Sequence, residues 1–276
     1  LIHYLRPDAT GAPRPTLVIT NGSDASISDV WSTIAAGALA RGWNAFVYDG
    51  PGQQSMLFDH GTHFRPDWEA VLTPVLDGLL ARPDVRADQL AGYGLSQAGY
   101  WLPRALAFEH RLAAAVVDPG VVDVSTSWTE HLSKGMIRQL RAGDRKPFNQ
   151  AMALATHLPG LARTLRYRSR PYRHTDWFDL YRTVSEYRLE PALAARIETP
   201  LLITDPQGEQ FWPGQSTTLA RLVPDAELAH FTAAQGADLH CQPLGRLLTE
   251  SRVFDWLEER LGLSESVHPG AAAGTR

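Results

Sequence analysis

The stretch LAGYGLSQAGYWLPRAL, residues 90–106, decides how the rest of this chain is interpreted. An apolar run comes first, a segment of small residues follows, and a helical pattern completes the stretch. A serine between small residues at a change from strand to helix is typical of a nucleophile elbow, a strained turn that exposes the serine hydroxyl. Side chains two positions before and after Ser96 would collide in that turn, so Gly94 and Ala98 fit it. The dipole of the following helix favours negative charge that develops at the same point.

The overall composition excludes several classes of protein. The chain has 276 residues, 44% of them hydrophobic and 20% charged, with a formal net charge of −4. One cysteine, Cys241, excludes an internal disulfide framework and favours a reducing, cytoplasmic location. The sequence has no run of about 18 apolar residues and no signal peptide, so we expect no membrane span. Because residue 1 is Leu, we expect a trimmed or processed N-terminus, and we expect residues 264–276 to form a flexible tail.

Strand-like and helical patterns alternate through residues 1–120 and again through residues 199–263. The strand-like runs lie at residues 1–5, 16–20, 44–48, 88–93, 112–117, 200–204 and 227–231. This alternation predicts an α/β fold, a mostly parallel central sheet flanked by helices on both faces. Pro103 lies past the first turn of the helix after Ser96, so we expect a kink there.

Residues 121–198 interrupt this alternation with helical patterns, and they predict a helical cap inserted into the α/β core. The cap carries 13 Lys and Arg against 8 Asp and Glu, whereas the remainder carries 13 against 22. Two interpretations stay open: the basic cap and the acidic core attract each other at their interface, or the cap arginines attract an anionic substrate. Aromatic residues of the cap favour an aromatic or extended apolar substrate, although a place in the core of the cap is more usual for each one. They are Trp128, Tyr167, Tyr172, Trp177, Tyr181 and Tyr187.

A serine nucleophile needs a base, and an acid that holds the base in one tautomer. His240 is the best candidate for the base, because it follows a strand through a flexible loop and precedes the last helix. Glu209 and Asp205 both follow the preceding strand-like run and compete for the role of the acid. The spacing favours Glu209, and Asp205 stays open as the alternative, with Asp118 and Asp123 as more distant ones. The order serine, acid, histidine along the chain is the order that nucleophile-elbow enzymes of this kind use.

The oxyanion of such a reaction needs two backbone N–H donors. Gln97, directly after the serine, supplies one, and Ser23 in the loop NGSD at 21–24 is the candidate for the other. The histidines and the cysteine match no metal-ligand spacing, so we expect no metal and no organic cofactor. The acidic net charge, without a basic stripe interleaved with aromatic residues, argues against a nucleic-acid partner.

Together these motifs resemble the α/β-hydrolase superfamily over nearly the whole chain. The segments DGPGQ at 49–53, FRPDW at 64–68 and DPQGEQFW at 205–212 are similar to a bacterial branch related to acylaminoacyl peptidases. That branch is also similar to dihydroxypseudooxynicotine hydrolases and to fungal enzymes that shorten polyketide pigment precursors. The resemblance implies cleavage of a carbon–carbon bond beside a ketone, by a serine triad under a helical lid. Many of those relatives carry an N-terminal helical domain that this chain lacks, so we expect part of the lid to be absent.

The sequence therefore predicts a serine hydrolase that cleaves an ester, or a carbon–carbon bond adjacent to a ketone, in a polyketide-like or β-diketone-like small molecule. The two reactions use the same residues and are not separated by the sequence. Two alternatives stay open: an acyltransferase or cyclase that uses the same triad, and a non-catalytic ligand-binding protein of the same fold. We expect a small-molecule substrate, aromatic or anionic, no membrane or nucleic-acid partner, and a homodimer as the candidate assembly.

Overall fold

A computed structural model describes residues 1–263, in which seven strands form one sheet. The strands are β1 (Ile2–Leu5), β2 (Arg14–Thr20), β3 (Asn44–Tyr48), β4 (Val85–Leu95), β5 (Ala114–Asp118), β6 (Leu201–Pro206) and β7 (Ala226–Phe231). They lie in the order β1-β3-β2-β4-β5-β6-β7, and every neighbouring pair is parallel except β1 with β3. The predicted mostly parallel α/β sheet is confirmed. The predicted tail at 264–276 lies outside the described residues.

Helices cover both faces of the sheet, and six of them lie in residues 121–198, the segment between β5 and β6 that is called the cap below. The helices are α1 (Ile27–Val30), α2 (Ala36–Ala40), α3 (Gln54–Phe58), α4 (Glu69–Leu80), α5 (Ala98–Leu106), α6 (Thr126–Thr129), α7 (Lys134–Ala142), α8 (Arg145–Ala155), α9 (Pro159–Ser169), α10 (Trp177–Val184), α11 (Pro191–Ala194), α12 (Gln215–Leu222) and α13 (Arg246–Arg260). A π-helical turn, Trp31–Ala35, joins α1 to α2. None of these helices is long and apolar enough to cross a membrane, over the residues that the structure describes.

Alternation of side chains along β2 shows how the sheet is buried on both faces. Leu17 and Ile19 pack in one apolar cluster with Phe254 of α13. Val18, which points to the opposite face, packs in a second cluster with Leu72 of α4. The two clusters fix the sheet between helices, so the loops at the carboxyl ends of the strands have a rigid base.

Helix α4 is shorter than the helical pattern of the sequence, which extends over residues 65–81. It begins only at Glu69, because tertiary contacts use the carbonyl groups just before it. The carbonyl of Arg65 accepts a hydrogen bond from the Trp101 indole, and that of Pro66 accepts one from the Tyr100 hydroxyl, both at 3.1 Å.

Pro103 lies inside α5 without ending that helix. The carbonyl group that Pro103 leaves without its helical donor, that of Gly99, accepts a hydrogen bond from the Val121 amide at 3.2 Å. The proline thereby connects α5 to the first residue of the cap, and the kink expected from the sequence stays a prediction.

The core of the cap is built from aromatic rings that meet edge to face. Tyr181 contacts Phe148 at 5.3 Å between ring centroids and Trp128 at 5.8 Å, and Trp128 contacts Tyr172 at 5.6 Å. The ion pairs of the cap's basic residues stay within the cap, as between Arg145 and its Asp176 and Asp179. Within residues 1–263, no Arg or Lys of the cap lies within 4 Å of a carboxylate of the core. The opposite net charges of the cap and the core therefore do not produce direct pairs between arginines or lysines of the cap and carboxylates of the core.

Candidate active site

Ser96 lies between β4 and α5 in a strained left-handed backbone conformation, with φ of +56°. Its amide donates a 2.6 Å hydrogen bond to the carbonyl of Asp118 at the end of β5. A Cβ on Gly94 would lie 2.7 Å from the Ala98 carbonyl oxygen, and one on Gly22 would lie 2.9 Å from the Ser96 Cβ. The turn around the serine therefore needs small residues from its own segment and from the loop after β2.

Three side chains meet at this turn. The hydroxyl of Ser96 lies 2.9 Å from Nε2 of His240, and Nδ1 of His240 lies 2.9 and 3.0 Å from the two carboxylate oxygens of Glu209. The side chains of His240 and Glu209 are only 13% and 5% exposed. The alternative acid, Asp205, pairs instead with Nδ1 of His230 at 2.8 Å. The structure thus brings Glu209, and not Asp205, to the imidazole beside the serine.

Glu209 is held as an ionised acceptor. Desolvation raises its pKa, but hydrogen bonds from His240 and from the backbone amides of Phe211 and Trp212 outweigh that effect and leave the pKa below its ordinary value. The two amides donate to the same oxygen, Oε1, at 2.9 and 3.2 Å. A carboxylate fixed in this way holds the imidazole with its proton on Nδ1 and leaves Nε2 free to accept a proton.

The loop that carries the histidine is anchored to a buried carboxylate. Cys241 and Gln242 both have positive φ, 54° and 43°. The Cys241 thiol donates to the carbonyl of Asp118 at 3.1 Å, and the Gln242 amide donates to the Asp118 carboxylate at 2.9 Å. Hydroxyl groups of Tyr93 and Thr204 donate to the same carboxylate at 2.8 and 2.6 Å. Asp118, a more distant alternative for the triad acid in the sequence, therefore anchors the loop that carries His240 and does not contact the imidazole.

Ser23 and Gln97, whose amides are predicted to form the oxyanion hole, both line a cavity over Ser96. Neither the Ser23 nor the Gln97 amide has a hydrogen-bond partner among residues 1–263. Gln53, which is 1% exposed, donates from its side chain to the carbonyls of Asn21 and Gly22 at 2.6 and 3.0 Å. Gln53 thus fixes the loop that presents the Ser23 amide. In the sequence, Gln53 stands out only as the last residue of the DGPGQ motif, which assigns it no role.

A cavity of about 190 Å³ lies over the serine, between the core and the cap. It is lined by Ser23, Asp24, Ser96, Gln97, Trp128, Arg168, Tyr172, Phe211, Trp212 and His240. A second groove of about 450 Å³ also reaches Ser96 and His240, with Thr33 and Arg246 in its wall. A larger cavity of about 640 Å³ lies at the β1 edge and contains none of these residues.

The cap contributes one cation and two aromatic rings to the cavity of about 190 Å³. Arg168 lies over the ring of Trp128, with 4.5 Å between the guanidinium carbon and the ring centroid. The hydroxyl of Tyr172 donates to Oε1 of Gln97 at 3.2 Å and ties the cap to the elbow. The Nε2 atom of Gln97 is buried and has no partner among the described residues. Of the six aromatic residues singled out in the sequence, Trp128 and Tyr172 line the cavity.

The described part of the chain, residues 1–263, contains no cluster of three or more His, Cys, Asp or Glu side chains that fits a metal ion. The groups beside the serine are hydrogen-bond donors, a base and an acid. This donor set suits acyl-transfer chemistry, in which an alkoxide or oxyanion is stabilised by N–H groups.

Comparisons with known proteins agree with this architecture. The crystal structure of 2,6-dihydroxy-pseudo-oxynicotine hydrolase superimposes with a TM-score of 0.69 at 20% identity, over 98% of this chain and 66% of that one. Est1E from Butyrivibrio proteoclasticus, solved with ferulic acid bound, gives 0.64 at 15% identity over 95% of each chain. This chain has the α/β-hydrolase fold. No family model matches the sequence.

Among curated proteins, this α/β-hydrolase-fold chain is 28% identical to the hydrolase LUC6 from a Fusarium species over 269 residues. The match covers 90% of this chain and 62% of LUC6, so the chain spans about three fifths of that relative's length. The α/β-hydrolase fold explains how the three side chains meet. Ser96 follows β4, Glu209 follows β6 and His240 follows β7, and the carboxyl ends of parallel strands share one edge of the sheet.

Proposed function

We propose that this protein is a serine hydrolase of small carbonyl compounds, with Ser96 as nucleophile, His240 as base and Glu209 as the orienting acid. The observation that carries the proposal is the continuous chain of contacts from Glu209 through His240 to Ser96, each at 2.9–3.0 Å, at the base of a cavity. The named relatives are hydrolases, which supports the same reaction class.

The geometry supports a two-step reaction. The Ser96 oxygen attacks the substrate carbonyl while Nε2 of His240 takes the hydroxyl proton, and the amides of Ser23 and Gln97 donate to the new oxyanion. Collapse of this intermediate breaks the bond to the leaving group, which receives the proton from His240. Water then attacks the acyl-serine, loses its proton to His240, and releases the acid with the free Ser96 hydroxyl. Glu209 stays ionised throughout.

The bond that breaks is an ester bond or a carbon–carbon bond next to a ketone. Both reactions form the same oxyanion, and they differ in whether His240 protonates an alkoxide or the carbon of an enolate. The cavity of about 190 Å³ and the groove of about 450 Å³ both reach Ser96, which gives the two halves of such a substrate separate compartments.

Turnover of two substrate series tests the proposal: p-nitrophenyl esters of graded chain length, and aryl 1,3-diketones followed by loss of their enol absorbance. We expect the wild-type protein to hydrolyse members of at least one series, and Ser96→Ala to lose about 10³-fold or more. Ser251→Ala, which removes an exposed serine on α13, is the control and keeps wild-type activity. The proposal fails if Ser96→Ala retains wild-type turnover, or if the folded wild-type protein neither turns over a substrate nor reacts with a fluorophosphonate.

A further inference from the structure

Arg168 is the one Arg or Lys among the described residues that line the cavity of about 190 Å³ over Ser96. It lies near the end of α9, whose other nearby arginines, Arg166 and Arg170, do not line that cavity. A guanidinium inside a small cavity lined in part by aromatic side chains is costly to desolvate unless it meets acceptors or an anion there. Its surroundings therefore show what it is arranged to bind.

The protein fixes the orientation of this guanidinium without neutralising its charge. Arg168 donates to the carbonyl of Ser127 at 3.3 Å and to the Ser127 hydroxyl at 3.0 Å, and its guanidinium stacks over Trp128. Among residues 1–263, no carboxylate lies within 4 Å of it. An arginine presents five N–H donors in a planar fork, so donors remain for a ligand after these contacts.

One acidic group faces the same cavity. Asp24 keeps an exposed surface, yet desolvation by the protein around its carboxyl raises its pKa, and Arg168 is the largest of the effects that oppose the rise. Among residues 1–263 no ion pair within 4 Å joins Asp24 to Arg168, and the raised pKa makes Asp24 less readily ionised than usual. It does not take the place of an anionic ligand.

We propose that Arg168 determines substrate specificity by binding a carboxylate on the substrate, an inference that rests on the proposed function. The preferred substrates are then small carbonyl compounds that carry a free acid. Half-esters of dicarboxylic acids and oxo acids belong to this class. The cavity of about 190 Å³ is small beside the groove of about 450 Å³, which favours a short acid-bearing chain in the part of the substrate that it encloses. Bidentate pairing of guanidinium and carboxylate gives both the affinity and the orientation.

Matched substrates separate charge from shape. Mono-p-nitrophenyl succinate, glutarate and adipate each carry a carboxylate, and the corresponding esters with an isopropyl group in place of the carboxylate are neutral and close in shape. We expect wild-type kcat/KM to be about tenfold or more higher for the acid than for its neutral counterpart at one or more chain lengths. Arg168→Met is expected to lower kcat/KM for the acid by about 10- to 100-fold more than kcat/KM for its neutral counterpart. Arg168→Lys keeps the positive charge but loses the planar fork of donors, so its kcat/KM for the acid is expected to lie between those of the wild type and Arg168→Met.

Arg166→Met is the control for loss of a positive charge from the same helix, and it is expected to keep the wild-type preference. The inference is overturned if Arg168→Met lowers acid and neutral substrates equally, or if the wild-type protein prefers the neutral ester at every chain length. Labelling of Ser96 by a fluorophosphonate separates this outcome from failure of the proposed function. A protein that is labelled but shows no preference for acids refutes only the role of Arg168, whereas a folded wild-type protein that is not labelled refutes the serine mechanism itself.

Discussion

Replacement of Glu209 by Gln tests the proposed acid with little change of shape. In the native site Oε1 accepts hydrogen bonds from the amides of Phe211 and Trp212, while both oxygens face Nδ1 of His240. A glutamine keeps its carbonyl oxygen on the two amides and therefore turns its NH₂ group toward Nδ1. The imidazole must then accept at Nδ1 and carry its proton on Nε2, where it no longer accepts the proton of Ser96.

The expected loss of kcat follows from this change of tautomer. Amide replacement of a triad acid lowers kcat by about 10⁴-fold in the serine proteases, which at about 1.36 kcal/mol per tenfold is about 5 kcal/mol of transition-state stabilisation. We expect kcat of Glu209→Gln to fall by about 10³- to 10⁴-fold, measured with the best p-nitrophenyl ester, with a melting temperature close to that of the wild type. The matched control is Asp205→Asn, which loses only the pair with the exposed His230 and is expected to keep activity within threefold. Activity above a tenth of the wild type in Glu209→Gln, or an equal loss in Asp205→Asn, would refute the assignment.

Three further changes test neighbouring parts of the structure. Gly22→Ala places a Cβ 2.9 Å from that of Ser96, so we expect kcat to fall at least tenfold while circular dichroism stays native; unchanged kcat would contradict the close approach. Gln53→Met removes the donor to two carbonyls of the oxyanion loop, and kcat is expected to fall by up to about 10²-fold with KM little changed; a rise in KM alone would speak against a positioning role. The pKa of Glu109 is lowered by hydrogen bonds from Arg111, so ionised Glu109 stabilises the fold at pH values above 4.5, the pKa it has in the unfolded chain. This stabilisation is lost as the pH falls through the lowered pKa of the folded state. The melting temperature of Glu109→Gln should therefore lie about 2–4 °C below the wild type at pH 7 and approach it as the pH falls below 4.5, and a pH-independent gap would contradict this.

The sequence predicted the fold because its signals are local. A run rich in β-branched residues, such as residues 16–20, favours a buried strand through the properties of its own side chains. The small residues around Ser96 are likewise required by the backbone of their own turn. The choice of Glu209 over Asp205 rested on spacing along the chain, and the structure pairs Glu209 with His240. Asp205 lies within β6, opposite His230 of β7, and the parallel register pairs the two residues directly.

Features that depend on distant parts of the chain were not predictable in the same way. The late start of α4 at Glu69 depends on donors from α5, and the role of Gln53 depends on carbonyls some 30 residues earlier in the chain. The need for glycine at position 99 also comes from another loop, because a Cβ there would lie 1.9 Å from the carbonyl oxygen of Pro119, in the loop after β5. Arg168 is one of 13 basic residues of the cap, and only the folded cap distinguishes it from the others.

Mass spectrometry of the protein after reaction with a fluorophosphonate tests the central claim most directly, because this reagent phosphonylates a serine only where a base and an oxyanion hole activate it. The account predicts one adduct, located by peptide mapping on the segment that contains Ser96 and absent from Ser96→Ala. A folded protein that forms no adduct, or an adduct on another residue with Ser96 unmodified, would contradict it.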